Sequence, residues 1–502
     1  MHRLSRLLRL LQLPRSARFP LLPFKLAVLL CISGPLLSQA NDITISSVFV
    51  APGTASELAS GGDANNAENS AAQVLSMEEV DVWERIRTGF NIQDLDSPLV
   101  ASQAARYSAN PEYFLRTTNR ASRYLFHVVQ ELDKRGMPTE LALLPFVESA
   151  FNPEAYSSAK ASGMWQFIPS TGLMYKLKQT MFKDERRDVL ASTDAALNYL
   201  EKLYGMFGDW QLALAAYNWG EGSVQRAIKK NEAAGKPTDF NSLSYLMPAE
   251  TRNYVPKLLA IKNIIADPKH YGIDLPKLQN QPYFVTINRT RNIDVKIAAQ
   301  LAELPITEFK ALNPQFNRPI IIGGEKTQIL LPHDNAEKFQ RNLVKWQRPL
   351  STWTSITVST RQRIENIARM FSTQAEVIRE VNHIAQKMVL KAGSTILVPK
   401  VIDTVYNDIT ADIADNATIA LEPDHPDTRN IVVKVGKSDS LASIANRYQV
   451  SIAEVRDWNS LSRDQLKFGQ RLRLQVPFAS KAGRSTHASS HRVKAHSKAR
   501  KR

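Results

Sequence analysis

The sequence predicts a multidomain protein in which a mainly α-helical domain is followed by small α+β modules. The chain has 502 residues, which is enough for two to four domains. From residue 80 to about 267 the apolar residues follow a helical period, whereas after Pro276 short β-type runs flank pairs of short helices. This second pattern repeats along the chain, and self-similarity on that scale indicates a repeated module.

The helical region contains one carboxylate in apolar surroundings. If residues 139–151 form a helix, Glu148 shares a face with three apolar residues, Leu141, Leu144 and Phe151. Burial disfavours an ionised carboxylate and raises its pKa, so we expect Glu148 to stay protonated near neutral pH. Cleavage of a glycosidic bond needs a proton donor of this kind. Glu148 is therefore the candidate general acid.

Three further motifs in this region carry groups suited to sugar binding. The first places Gln166 between glycines and beside Met164 and Trp165. A buried amide needs a hydrogen-bond partner, which an acetamido or hydroxyl group of a sugar supplies, and we expect Met164 and Trp165 to contact the sugar ring. The other two motifs add hydrogen-bonding side chains from Tyr217, Asn218 and Tyr254.

A long helix is predicted in the middle of this region. Ser192 and Thr193 followed by Asp194 are typical of a helix N-cap. Apolar residues recur behind them and form one face, so we expect the helix to begin at this point.

In order along the chain, these motifs resemble the soluble lytic transglycosylase catalytic domain. They are Glu-Ser at Glu148, Gly-Met-x-Gln-Phe around Gln166, Ala-Tyr-Asn-x-Gly around Tyr217, and Asn-Tyr-Val-Pro at Tyr254. Longer runs beginning at Asp81 and Arg135 are similar to the membrane-bound lytic murein transglycosylase D family in particular. Trp165 departs from the wider superfamily, in which many relatives have Met directly before the glutamine.

The resemblance implies that residues 80–275 form a lysozyme-like, mostly helical domain. Such a domain cleaves the β-1,4 bond between N-acetylmuramic acid and N-acetylglucosamine in peptidoglycan and leaves 1,6-anhydromuramic acid ends. By this likeness Glu148 acts first as an acid and then as a base, while Ser149 and Gln166 orient the substrate. The remaining motif residues would hold the acetamido group and the developing charge: Tyr217, Asn218 and Tyr254.

Two other functions remain open at this point. One is a hydrolytic muramidase of the lysozyme type, which needs a second carboxylate to activate water. The candidates in the region are Glu154, Asp184, Glu185 and Asp209. The other is a non-catalytic protein that binds the wall only through its repeated modules.

Three copies of a βααβ pattern are predicted, at residues 283–339, 352–400 and 431–477, and are here named modules 1, 2 and 3. In each copy an Ile-Ala pair precedes an asparagine, with spacings of 16, 15 and 15 residues. Module 3 resembles a LysM domain, which implies binding of N-acetylglucosamine-containing glycans by two loops that hold Gly436, Asp439 and Asn459. Modules 1 and 2 keep the pattern without the loop chemistry, so structural support and weak glycan binding are both open.

The positive charge of the chain lies at its two ends. The net charge is +16, of which residues 1–40 supply six and residues 480–502 supply eight, leaving about +2 for the rest. A nearly neutral body is not typical of nucleic-acid binding, so we expect no nucleic-acid partner. Residues 41–79 are predicted to be a disordered tether. The basic tail at 480–502 is also predicted to be disordered and suited to weak contact with an anionic envelope surface.

The first 40 residues predict a signal peptide. Basic residues precede an apolar run from Leu26 to Leu37, and the segment ends at an Ala40 cleavage site. We therefore expect export to the bacterial periplasm, with an uncleaved anchor, or a lipid on Cys31 that attaches the protein to the outer membrane, as alternatives. Cys31 is the one cysteine. Since the sequence shows no metal or cofactor motif, we expect neither.

Overall fold

The computed structural model describes residues 81–401, 407–424 and 428–477. The predicted signal peptide, with Cys31, the tether and the basic tail lie outside the described residues. In the part of the chain that is described, no helix combines the length and the apolar character needed to cross a membrane.

The first domain is a bundle of helices around one large apolar core. Trp83, Tyr124 and Leu200 are at most 1% exposed and contribute to this core. The last helix of the domain packs against the second and eighth helices. The helices are α1 (Val82–Thr88), α2 (Pro98–Ser108), α3 (Pro111–Ala121), α4 (Leu125–Arg135), a 3₁₀ turn (Thr139–Leu143), α5 (Leu144–Glu148), α6 (Pro169–Met174), α7 (Val189–Phe207), α8 (Trp210–Trp219), α9 (Glu221–Ala233), α10 (Phe240–Leu243), a second 3₁₀ turn (Ser244–Leu246) and α11 (Ala249–Ala266).

Helix α7 begins earlier than the sequence pattern predicts. Asp188 is the N-cap, and its carboxylate accepts hydrogen bonds from the amides of Leu190 and Ala191 at 3.1 and 3.0 Å. The predicted cap at Ser192 and Thr193 is wrong. Both residues are buried inside the helix and donate their hydroxyl hydrogens to carbonyls four residues back, an alternative that the same side chains offer in any helix.

Each module is an antiparallel strand pair that encloses two short helices. Module 1 contains β1 (Val285–Asn288), β2 (Ile293–Asp294), α12 (Val295–Leu301), α13 (Ile306–Leu312), β3 (Ile320–Ile321) and β4 (Gln328–Leu331), and it ends in α14 (His333–Lys345), which extends past its predicted boundary at 339. Module 2 contains β5 (Trp353–Thr357), α15 (Ile364–Met370), α16 (Ala375–Asn382), β6 (Met388–Leu390) and β7 (Thr395–Pro399), followed by α17 (Ala411–Asn416) and β8 (Leu421–Pro423). Module 3 contains β9 (Thr428–Lys434), α18 (Leu441–Tyr448), α19 (Ile452–Asn459) and β10 (Arg471–Pro477). The outer pairs join β1 to β4, β5 to β7 and β9 to β10, and two smaller pairs join β2 to β3 and β6 to β8.

The repeated asparagine performs the same structural task in every module. Its side-chain amide donates to, and its carbonyl accepts from, the backbone of one residue on the last strand. Asn313 is paired in this way with Leu330 at 2.8 Å in both bonds. Asn382 holds Leu397 at 2.7 and 2.8 Å, and Asn459 holds Arg473 at 2.8 and 2.7 Å. We name this arrangement the asparagine clip.

Modules 1 and 2 pack against the helical domain and against each other. Arg123 of the helical domain makes two hydrogen bonds of 2.7 Å to the carboxylate of Glu308 in module 1. One apolar cluster combines Phe182 of the helical domain, Ile320 of module 1 and Leu397 of module 2. The two modules therefore form a joint with the helical domain that includes buried apolar surface.

Candidate active site

Glu148 is the last residue of a very short helix. The condition of one helix over 139–151 is not met, because a 3₁₀ turn precedes α5 and the chain leaves the helix directly after Glu148. Ala150 and Phe151 adopt φ values of +52° and +54°, a conformation that L residues rarely take. Such backbone strain is concentrated at functional sites. The carboxylate thus projects from a helix end rather than from the middle of an apolar stripe.

The surroundings of Glu148 shift its acidity toward neutrality. Burial raises the pKa of Glu148 to about 7, against the smaller opposing effect of a hydrogen bond from Tyr254, with a further increase from the negative charge of Glu250. The Tyr254 hydroxyl donates that bond to Oε1 of Glu148. Within the described residues the other carboxyl oxygen has no protein partner. A proton on that oxygen is therefore available to a ligand, since the residue is only partly buried.

Glu140, eight residues before Glu148, is a buried carboxylate with a purely structural role. Glu140 is fully buried, and its two oxygens accept three bonds of 2.8 to 3.0 Å from the backbone amides of Asn91 and Ile92. Both of its oxygens are occupied. Glu148 differs because one oxygen is left free and the residue is partly accessible.

Two predicted tyrosines lie beside Glu148 and keep their protons. Tyr254 is 3% exposed, and the Tyr217 hydroxyl donates to the carbonyl of Trp165 at 2.9 Å. Burial, reinforced by the charge of Glu148, raises the pKa of both phenols well above the ordinary value. Asn218 accepts a hydrogen bond from Thr251 at 2.7 Å, which leaves its amide nitrogen for other partners.

The turn that carries Gln166 is tied to the same site. The Ser149 hydroxyl donates to the carbonyl of Met164 at 2.9 Å, and the Gln166 amide donates to the carbonyl of Gly163 at 2.8 Å. Gln166 itself has a φ of +52°. These bonds hold the turn, and among the described residues the side-chain oxygen of Gln166 has no protein partner.

The prediction that Trp165 contacts the sugar ring is wrong. Trp165 is fully buried and its Nε1 donates to Thr193 at 3.0 Å, so the ring belongs to the core. Met164 is 2% exposed and offers almost no surface to a ligand. Exposed apolar side chains are found elsewhere, on and next to α6, where Ile168, Leu173 and Met174 are 42%, 62% and 68% exposed.

A row of aromatic rings extends from Tyr217, and the sequence motifs did not include its members. Tyr199 lies 5.4 Å from Tyr217 between ring centroids, and Tyr175 lies 5.2 Å from Tyr199. The Tyr199 hydroxyl donates to Glu221 at 2.8 Å. These rings come from separate elements, so no local spacing in the sequence signals their proximity.

Three of the four carboxylates considered as a catalytic partner are already engaged in the structure. Asp184 accepts two bonds from Arg186, Glu185 is paired with Lys183 at 3.0 Å, and Asp209 caps α8. The fourth, Glu154, is exposed. None of the four is among the charges that shift the pKa of Glu148, whereas the exposed Glu250 is.

The loop residues predicted to bind glycan in module 3 are held by their own module. The carboxylate of Asp439 accepts from the Gly436 amide at 2.9 Å and from Arg447 at 2.6 Å. Asn459 forms the asparagine clip. The two side chains therefore have structural roles, and glycan contact through Gly436, Asp439 and Asn459 stays a prediction.

Comparison with known families agrees with this geometry. The family described as transglycosylase SLT domain matches residues 128–240. The family described as lytic transglycosylase MltD, LysM-like domain matches residues 283–347, and the LysM domain matches 356–399 and 433–475. The helical domain with its near-neutral glutamate is thus of the lytic transglycosylase class, and the modules are of the LysM class.

Relatives define the family more closely. The chain is 34% identical over 410 residues to membrane-bound lytic murein transglycosylase D of Escherichia coli, which covers 79% of this chain and 86% of that protein. It is also 42% identical over 165 residues to a putative tributyltin chloride resistance protein of Alteromonas, covering 32% of this chain and 76% of the relative. The solved 70 kDa soluble lytic transglycosylase of Escherichia coli matches with 19% identity, 43% and 45% coverage and a TM-score of 0.24. The chain belongs to the membrane-bound lytic murein transglycosylase D family, whose members act on peptidoglycan.

Proposed function

We propose that Glu148 is the single acid–base residue of a peptidoglycan lytic transglycosylase that forms 1,6-anhydromuramic acid ends. Glu148 gives its proton to the glycosidic oxygen as the bond from that oxygen to the anomeric carbon of N-acetylmuramic acid breaks. The resulting carboxylate then takes the proton of the muramoyl 6-hydroxyl as O6 bonds to the anomeric carbon. No water is consumed and the enzyme returns to its starting state.

The pKa of Glu148 carries this proposal. A value of about 7 lets one carboxyl group both give and accept a proton near neutral pH. Tyr254 holds one oxygen of the group, which leaves the other to exchange the proton with the substrate. A residue with the ordinary acidity of glutamate would be almost fully ionised under the same conditions.

We assign the surrounding residues to substrate binding. Gln166 and Asn218 each keep a polar side-chain atom for a ligand, and Tyr217 lies close enough to Glu148 to feel its charge, so we assign all three to the acetamido group and to the charge that develops on the sugar. Ser149 acts mainly on the turn, because its hydroxyl is already bonded to Met164. The row of Tyr175 and Tyr199 next to Tyr217 extends the binding surface.

Attack by the 6-hydroxyl is favoured over attack by water. The hydroxyl belongs to the bound substrate, and such intramolecular groups act at very high effective concentration. Activation of water would require a second carboxylate, yet three of the four sequence candidates are engaged elsewhere.

We propose that the chain is divided as the sequence predicts, with the catalytic domain at 80–275 and modules 1 to 3 at 283–339, 352–400 and 431–477. Module 3 serves to bind glycan strands of the wall. Modules 1 and 2 serve as structural support. In module 2 the side chain of Arg361, in the loop that replaces the predicted glycan-binding loop, is bonded to Glu422 of its own chain at 2.7 Å.

The relatives and the basic ends of the sequence support an exported, periplasmic protein attached to the envelope. The attachment is proposed to be through the basic tail to an anionic surface, or through a lipid on Cys31.

Mass spectrometry of products from purified sacculi tests the reaction. The expected muropeptides carry 1,6-anhydro ends, resist borohydride reduction and lack one water relative to lysozyme products. Glu148→Gln should abolish their release while leaving binding to sacculi intact. Reducible muramic ends would establish a hydrolase and would make Glu250 the first candidate for its base.

A further inference from the structure

We propose that Arg186 is a positioning residue for the active site and that module 1 holds it in place, so that module 1 is a working part of the catalytic unit. The proposal rests on the site assigned above. It adds a residue that lies in none of the sequence motifs and gives module 1 a role other than binding glycan.

Arg186 forms a buried clamp between two loops. It is 5% exposed, and its guanidinium makes two hydrogen bonds to the carboxylate of Asp184 at 3.0 and 2.7 Å. Its remaining nitrogen, Nη1, donates to the carbonyls of Lys160 and Phe167 at 2.7 and 3.1 Å. The planar guanidinium is suited to this task because it can satisfy a carboxylate and two carbonyls at once, whereas a lysine ammonium cannot match that geometry.

The clamped loop is the one that carries the Gln166 turn. The backbone of Arg186 also packs directly against this turn at Gly163. A Cβ atom added at Gly163 would lie 2.1 Å from the Arg186 carbonyl oxygen, so there is room for glycine but not for a larger residue. Gly163 has a φ of +85° and accepts the side-chain bond of Gln166. The carbonyls of Met164 and Trp165 belong to this turn and accept hydrogen bonds from Ser149 and Tyr217. Displacement of the clamp would therefore move both of these side chains relative to Glu148.

Module 1 holds the other side of the clamp. The Asp184 amide donates to the carbonyl of Gln315 at 2.9 Å, and the Asn317 amide donates to the carbonyl of Phe182 at 2.8 Å. The Asn317 side chain adds a bond to the carbonyl of Thr180 at 3.0 Å and accepts one from Arg187. The hairpin at 179–184 is thus continued by the backbone of module 1 in a small antiparallel arrangement.

Apolar contact reinforces the same hairpin. Phe182 is 3% exposed and is buried among Ile320 of module 1 and Leu397 of module 2. A continuous series of bonds therefore runs from module 1 through Asp184 and Arg186 to the turn at Gln166. Loss of any member should loosen the turn without removing a group that touches the substrate.

The experiment compares Arg186→Lys with Arg379→Lys in the full-length protein. Arg379 is a matched control, because it is 6% exposed and also bridges a carboxylate, Glu365 at 2.6 Å, to two backbone carbonyls, but within module 2. Steady-state turnover is measured as release of ends from soluble glycan strands, whichever chemical form the ends take. Hydrogen exchange is followed in the peptide that covers residues 160–168.

Arg186→Lys should lower kcat by about 10- to 100-fold, as expected for misplacement of groups near the reacting atoms, and should speed exchange in residues 160–168. Arg379→Lys should change neither quantity at temperatures where both proteins are folded. A second pair repeats the test from module 1. Asn317→Ala should lower kcat a few-fold, whereas Asn335→Ala, which removes bonds to Ala302 and Glu303 inside module 1, should not.

Unchanged kcat in folded Arg186→Lys, or equal losses in the two members of either pair, would overturn the proposal. Its failure is distinct from failure of the proposed function, which Glu148→Gln tests in the same assay. If Glu148→Gln is inactive and Arg186→Lys is fully active, the catalytic assignment stands and the clamp is structural only.

Discussion

Replacement of Glu148 by Gln should make the protein more stable, by an amount that depends on pH. The pKa of Glu148 is about 7 in the folded protein against an ordinary value of 4.5. The folded state therefore binds the proton more tightly than the unfolded chain. The wild-type protein loses stability as the pH rises from about 4.5 to about 7, and Glu148→Gln does not, because an amide has no charge to bury.

The size of the effect follows from the same values. Each pH unit between the two pKa values corresponds to about 1.4 kcal/mol, so the upper limit is about 3 kcal/mol above pH 7. Glu148 is only partly buried, and solvent screening should reduce the difference to about 1 to 2 kcal/mol. The Gln side chain retains an oxygen for the Tyr254 hydroxyl, so no buried donor is left unpaired.

Urea unfolding followed by tryptophan fluorescence measures this difference, since the buried Trp83 and Trp165 report on the catalytic domain. The free energies of unfolding of the two proteins should agree near pH 4 and differ near pH 8. Glu140→Gln is the control, because the amide keeps one oxygen for the two backbone donors, Asn91 and Ile92, and turns an NH₂ group toward them, so it should destabilise the domain at pH 8. A wild-type minus Glu148→Gln difference that does not vary with pH would refute the assigned environment of the carboxylate.

Four further outcomes are expected. Glu250→Gln removes a negative charge that raises the pKa of Glu148, so the alkaline decline of kcat should move to lower pH; an unmoved profile, or complete inactivity, would contradict this. Tyr254→Phe removes the bond that lowers that pKa, so its alkaline decline should move to higher pH while kcat falls, as measured by the pH dependence of turnover. Asn382→Ala should destabilise module 2 by about 1 to 3 kcal/mol, because buried backbone groups lose their partners, and a stability unchanged in calorimetry would remove the clip's role. Deletion of residues 428–502 should weaken sedimentation with sacculi while leaving turnover of soluble glycan fragments unchanged; joint loss of both would show that module 3 is needed for catalysis.

The sequence singled out the proposed general acid and the two tyrosines that the structure places near it, because each is carried by a local motif. Glu148, Tyr217 and Tyr254 lie far apart in the chain, yet each occupies a short pattern that family resemblance identifies. The division into a helical domain and LysM-type modules was predictable for a similar reason. The period of the apolar residues is helical before Pro276 and strand-like after it, and this change can be read from the sequence directly.

Features that depend on tertiary contact were not predictable in this way. Arg186 has no distinctive neighbours in sequence, and its role arises from carbonyls at Lys160 and Phe167. Trp165 looked like a sugar platform because an indole suits either a cleft or a core, and only the fold shows it to be buried. Ser192 and Thr193 looked like a cap because their hydroxyls bond the backbone equally well inside a helix.

Because of the asparagine clip, folding of a module and binding of a ligand by that module depend on different residues. Asn313, Asn382 and Asn459 hold the end of the second helix to the last strand, on bonds that involve no loop side chain. The loop side chains can therefore change without loss of these bonds. A module can lose its ligand and still fold, and its surface is then available for a new use inside the same chain.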